Sequence, residues 1–429
     1  PPMVLSRRIL LACTVVAGLV ASSFSAIAAD KANITVWLIP ISEPYVNWWN
    51  NHIAKFNAAN PDIEVTAEFF TNDAYGPKVT AALAAGTIAD VISLPAGPQG
   101  FEAVRQGKLH SLEGILDKSL ITAPSAEACS IDGKLACLPL YVAAHYFFYN
   151  KAHFETAGID VANWADPGQP TWAEFEDAAN KLKEAGILPI AHGTADGWAG
   201  AMYFWAFQDR FGGLKEYQDA VNGVDGLTYS TAPGFIKAAE AVAEFGKSGW
   251  LPLGYTGIGG GQKYTLFTGV RAGMTYQGPW LLGRIEAEAP EDFRFGLFKF
   301  PKIEGGDPDS QTSMVGGFNS IYMSGTSKHP EAAARMLQSY VEHEAGLSFT
   351  ELTQNPTIIN SVIEATKDAD NIVAEVAGMV ASSSHVYPFW DNYMSPVIVE
   401  ESWRLISGLY DGSVTPADYL AALDKAAGR

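Results

Sequence analysis

Between Ile34 and Pro98, strand-like runs alternate with helix-like ones. That alternation restricts the fold more than any other feature of this 429-residue chain. Ile34 to Ile39 is β-branched, apolar and uncharged, as a buried strand requires. Val46, Trp49, Ile53 and Phe56 then recur at helical spacing, with Ser42 placed to cap the helix and Asn60-Pro61 to end it. Ile63, Val65, Ala67 and Phe69 alternate as a second strand. Val79 to Ala85 reads as a helix closed by Gly86, and Ala89 to Leu94 as a third strand. A β-α-β-α-β order implies parallel strands joined by right-handed crossovers. The loops after the strands then share one sheet edge, where α/β folds bind ligands. Those loops carry Ser42, Glu43 and Tyr45; Asn72, Asp73 and Tyr75; and Gly97. Each of these residues reads equally well as an ordinary cap or solvated loop residue.

Farther along, Leu138 to Asn150 is an apolar and aromatic run containing His145. A lone histidine in such a run is more often core than ligand contact. Thr171-Trp172-Ala173-Glu174 is a capping box that opens a helix, and Ile187 to Ala191 is a strand. Asp196, Trp198 and Trp205 lie in a glycine-rich, aromatic segment. Arg271 to Gln277 is a short, mostly apolar strand; Gly278 stops it, and Pro279 opens a helix. Trp280 therefore falls in the first turn of a helix just past a strand end, as a core plug or as a platform for a ligand. Phe293 to Phe300 and Ser320 to Met323 read as strands, and Tyr387 to Asp391 forms a second aromatic cluster. Asn360 to Val380 has too few strong apolar repeats to place.

A formal net charge of −19 argues against nucleic-acid partners and against anionic lipid, and suits a soluble, monomeric, exported chain. Arg7 and Arg8, the apolar run Ile9 to Val20 and Ala26-Ile27-Ala28 have the order of an export signal over residues 1–29. Periplasmic localisation is expected, with lipid anchoring at Cys13 disfavoured. Export leaves Cys129 and Cys137, which flank the hairpin turn signal Asp132-Gly133; an oxidising compartment favours a disulfide over two buried thiols. No metal-ligand spacing, nucleophile motif or cofactor fingerprint is present, so no metal and no cofactor are expected. Gly257 to Thr265 imitates a phosphate loop, but Gln262 stands where a glycine is needed, and the segment reads as a loop.

Several short segments, weak singly, gain weight from their order. They are Asp132-Gly133-Lys134-Leu135 with Leu138-Pro139; Tyr149-Asn150-Lys151 followed by Ala157-Gly158 and Thr171-Trp172; Gly269 to Trp280; Gly316-Gly317; and Pro330-Glu331 with Ala333. With these the chain resembles an extracellular solute-binding protein of a carbohydrate ABC transporter, in the class that includes maltose-binding protein. The resemblance implies a two-lobed α/β fold of the type II periplasmic kind, each lobe a mixed, mainly parallel sheet flanked by helices, with a hinge between. It implies lobe 1 over residues 30–139 and about 309–358, and lobe 2 over 140–308 and about 359–429. It also implies a non-enzymatic receptor that carries a sugar or polyol to membrane permease subunits. Trp280, following Gly278 and Pro279, would stack on a sugar ring, with Trp390 and Trp198 as further aromatics. Glu43, Asn72, Asp73 and Asp391 would pair with hydroxyls, beside Tyr45, Tyr75, Gly97 and Gly317. Ala143 stands where the maltose-binding member has an acid, which puts maltose itself in doubt; His145 would make up part of that polar contact. A secreted carbohydrate-active enzyme and a receptor for a non-sugar solute remain the alternatives.

Overall fold

The computed structural model describes residues 31–367 and 371–429. The expected export segment, with Cys13, lies outside the described residues. Two principal sheets organise the rest. In the seven-stranded sheet, Ala32–Leu38 pairs in parallel with Ile63–Phe69 and with Val91–Pro95, as the alternating sequence requires. The long strand Met314–Ser324 runs antiparallel to Val91–Pro95, Leu109–His110 and Leu138–Ala144, and parallel to Val386–Pro388. In the four-stranded sheet the order is Phe295–Phe298, Tyr146–Asn150, Ala272–Gln277, Leu188–Ile190. Only the last pair there is parallel. Both sheets are therefore mixed.

The first passage divides the run Leu138 to Asn150. Leu138–Ala144 belongs to the larger sheet and Tyr146–Asn150 to the smaller one, with His145 between them. The His145 backbone N–H donates to the Val315 carbonyl at 2.7 Å, which ties this crossing to the strand Met314–Ser324. Both halves are buried throughout, so no polar residue marks the break.

Helix Glu43–Ala59 starts where Ser42 accepts the Tyr45 N–H at 3.3 Å, a cap that contributes about 1 kcal/mol. Its buried face is Tyr45, Trp48, Trp49, Ile53 and Phe56 rather than one led by Val46. Trp48 packs edge-on against Phe349 of the helix His343–Thr353, with ring centroids 5.0 Å apart. The aromatic segment around Trp198 and Trp205 is a 26-residue helix, Gly197–Asn222, broken at Gly213, where φ is 74°. Apolar residues on all sides of its first half obscure the helical period, because that half is enclosed. Asn360 to Val380 contains helices Asn360–Thr366 and, from Ile372, Ile372–Ala381. Among the described residues no helix is long and apolar enough to cross a membrane.

Cys129 and Cys137 are joined, both fully buried, across the hairpin of Ser130–Ile131 and Lys134–Leu135. Asp132 and Gly133 take φ of 51° and 77°, the left-handed pair that a two-residue hairpin turn needs. The bridge closes a sequence separation of 8. A loop of that length constrains the unfolded chain by about 2.5 kcal/mol in the chain-entropy account. The Cys129→Ser/Cys137→Ser variant is therefore expected to lose stability of that order in urea unfolding. An unchanged midpoint would contradict a stabilising role for the bridge.

Candidate functional site

Trp280 stands at the seam between the sheets, at the start of the helix Trp280–Glu288 that follows the strand Ala272–Gln277. The Gly-Pro step sets its position. A Cβ built on Gly278 would lie 2.3 Å from Trp280 Cζ3, so only glycine lets the indole lie back over the backbone. Pro279 already has a helical φ of −61°. The Trp280 Nε1–H donates to Gln277 Oε1 at 3.2 Å, and the side chain remains partly open to solvent. Trp198 meets the ring edge-on at 6.0 Å, and His145 meets it edge-on at 5.4 Å.

His145 is the centre of this cluster. Its ring also lies 4.6 Å from Phe389, 5.3 Å from Tyr276 and, parallel, 6.5 Å from Trp205. Burial pushes its pKa down to about 3, so the imidazole is neutral at ordinary pH. Its Nδ1 has no hydrogen-bond partner among the described residues.

Trp198 has a cationic neighbour as well. The Lys263 ammonium lies 4.6 Å from its ring centroid, a cation–π contact, and bonds Asp196 at 2.5 Å. Burial lowers the Lys263 pKa, and the Asp196 carboxylate opposes that shift. Asp196 also accepts the Gly260 N–H at 2.7 Å. The segment read as a loop thus anchors an aromatic residue, and its C-terminal part is the helix Gln262–Thr268.

Three expected ligand residues are committed to the core instead. Tyr45 is 1% exposed and packs on Trp49 and Phe349. Tyr75 is buried, and its hydroxyl donates to the Trp37 carbonyl and accepts the Ser93 N–H, clamping Ala32–Leu38 to Val91–Pro95. Trp390 packs against Phe204, Phe235 and Tyr217, and its indole N–H donates to the Tyr387 hydroxyl. In each case an aromatic beside a polar loop faces inward, and linear spacing does not carry that information.

Glu43 is exposed in the first turn of its helix. The helix Trp280–Glu288 approaches that turn: a Cβ built on Gly283 would lie 3.6 Å from Ser42 Oγ. Asn72 and Asp73 open the helix Asn72–Ala85. Gly97 and Gly317 both admit the segment Phe389 to Tyr393. A Cβ on Gly97 would lie 2.7 Å from the Asn392 carbonyl oxygen, and one on Gly317 would lie 3.2 Å from the Phe389 ring. On that flank a cavity of about 370 Å³ opens between Leu214 and Tyr217 on one side and Gly317, Phe318, Val386 and Tyr393 on the other. Among the described residues no group of acids, histidines or cysteines is arranged to hold a metal ion.

Asp391 is exposed in the first turn of the short helix Trp390–Tyr393, and desolvation by the neighbouring protein raises its carboxyl pKa.

The structure thus gathers Trp280, Gly278, Trp198 and His145 into one cluster, which Phe389 links to the flank of Gly97 and Gly317. Sequence reading did not single out Gln277, Trp205, Phe389, Lys263 or Asp196 as parts of this arrangement with ring and polar contacts. Asp196, Trp205 and Phe389 lie in the aromatic segments of the sequence and Gln277 lies beside Gly278, whereas Lys263 offered no signal.

The chain is 28% identical over 262 residues to the galactooligosaccharide-binding protein of Bacillus subtilis (strain 168), covering 59% of this chain and 56% of that one. It is 24% identical over 321 residues to the sn-glycerol-3-phosphate-binding periplasmic protein of Agrobacterium fabrum (strain C58), covering 69% of each. The solved structure of a chitin oligosaccharide binding protein superposes with a TM-score of 0.80 at 21% identity, covering 93% of this chain and 98% of that one, and so shares the fold. The family model of the bacterial extracellular solute-binding proteins matches residues 42–346, most of the chain, and the chain belongs to that family.

Proposed function

We propose that this chain is a periplasmic receptor that captures an uncharged sugar at the seam between its sheets and delivers it to the permease of an ABC importer. The observation that carries this reading is Trp280. It is an indole laid over Gly278, flanked edge-on by Trp198 and His145, and partly open at the strand end. Sugar faces present C–H groups that pack on aromatic rings, and their hydroxyls need donors and acceptors nearby. Glu43, Asn72, Asp73 and Asp391 are the acidic and amide candidates for those hydroxyls, and His145 is a neutral one.

A sugar is favoured over a phosphorylated solute by the state of the nearby cations. Lys263 is bonded to Asp196, and Arg284 to Glu288 at 2.9 Å. A phosphate would need a cation not already neutralised. The lobes would divide at His145, with a second passage before Met314 and a third after Pro388. Ligand would favour a closed arrangement of the lobes about those crossings, by the difference in its affinity for the two arrangements. The reading is of a non-catalytic monomer.

Thermal-shift measurement on the mature chain tests the reading. The panel is galactose, maltose, raffinose, xylobiose, N,N′-diacetylchitobiose and sn-glycerol 3-phosphate. A saturable rise in melting temperature with one or more of the sugars, and no product formed from it, is expected. A shift with the glycerol phosphate alone, or turnover of an oligosaccharide, would contradict it.

A further inference from the structure

Gln277 ends the strand beside Trp280, and none of its surface is exposed. An indole N–H can only donate, so the Trp280 Nε1 bond to Gln277 fixes which end of the carboxamide is oxygen. The Nε2 end, with two donor hydrogens, then finds no partner among the described residues. Trp205 Nε1, an obligate donor, and His145 Nδ1 are unpartnered in the same way within the same ring cluster. Buried polar groups are nearly always paired, because an unpaired one forfeits its hydration without replacement. Trp49 Nε1, Asn150 Nδ2 and Gln208 Nε2 also lack a partner among the described residues. Gln277 differs from them in that its amide is held in one orientation by the partly open ring of Trp280, on which the sugar is proposed to lie.

We propose that Gln277 is a specificity-determining residue: its Nε2 donates to one oxygen of the sugar that lies against Trp280, and the receptor selects for that oxygen. The inference rests on the sugar reading above. It commits the ligand to an oxygen acceptor, a hydroxyl, ring oxygen or amide carbonyl, next to the face that stacks. Because Trp280 Nε1 holds Gln277 Oε1, the amide is oriented before ligand arrives, and loss of the ligand oxygen strands a buried donor.

The test is calorimetric titration of the mature chain with galactose, maltose, raffinose, xylobiose and N,N′-diacetylchitobiose, followed by single-deoxy analogues of the tightest binder. For wild type, one analogue is expected to bind at least tenfold more weakly than its parent. Gln277→Leu removes the amide; Gln277→Glu removes the donors but keeps an acceptor for the Trp280 N–H. Both should bind the parent at least tenfold more weakly than wild type, and neither should lose further affinity for the critical analogue. Binding of the parent at wild-type strength by either folded variant, or strictly additive losses, would overturn the assignment. So would a wild-type analogue scan in which no oxygen matters, a result that needs no variant to fold. Binding of none of the sugars would remove the sugar reading itself, whereas sugar binding indifferent to Gln277 would remove only this inference.

Discussion

Trp280→Ala is expected to weaken sugar binding at least tenfold, about 1.4 kcal/mol, while leaving the chain folded. The ring is partly exposed and rests on the backbone of Gly278, so its removal opens the seam without emptying a closed core. The loss should come from the stacking surface and from the carboxamide of Gln277, which the indole N–H orients. Trp280→Phe keeps a flat ring but loses that N–H, and should fall between wild type and alanine. Calorimetry gives the affinities and a melting curve confirms folding. Wild-type affinity in a folded alanine variant would take Trp280 out of the site.

The second large effect is on stability. Arg210 is fully buried in the helix Gly197–Asn222. Its Nε donates to the Pro301 carbonyl at 3.0 Å. Its Nη1 donates to Asp209 at 3.0 Å and to the Ser310 carbonyl at 2.7 Å, and its Nη2 donates to the carbonyls of Phe300 and Ser313. Asp209 also bonds Ser313 and, at 3.1 Å, His385, which precedes the strand Val386–Pro388. The network therefore ties the helix Gly197–Asn222 to the segments that lead into the strands Met314–Ser324 and Val386–Pro388. Arg210→Met would leave the buried Asp209 carboxylate without its guanidinium partner and several carbonyls unpaired, a loss of about 3–5 kcal/mol. Because the cost comes from stranded partners, Asp209→Leu/Arg210→Met should lose less than Arg210→Met alone. Urea unfolding measures both. A single variant within about 1 kcal/mol of wild type would contradict the network's role.

Local chemistry was legible in the sequence, and long-range partnership was not. The first strands, the Ser42 cap, the Thr171 capping box with Glu174, the Asp132-Gly133 turn and the helix opening at Trp280 depend on neighbours a few residues apart. The inward aim of Tyr45, Tyr75 and Trp390 depends on which face of a sheet or helix is covered, and an aromatic residue suits either side. The passage at His145 was hidden because buried strands on both sides remove the alternation that would reveal it. Arg210 had no signature, and Gln277 had only its place beside Gly278. Arg210 has partners about ninety to a hundred residues away, and Gln277 matters through an amide end that finds none.

A crystal structure of the mature chain with its tightest-binding sugar tests the central claim most directly. A sugar ring lying against Trp280 in the seam between the sheets, with one ligand oxygen within hydrogen-bond distance of Gln277 Nε2, is the predicted result. A sugar bound away from that seam, with Trp280 touching only protein, would contradict it.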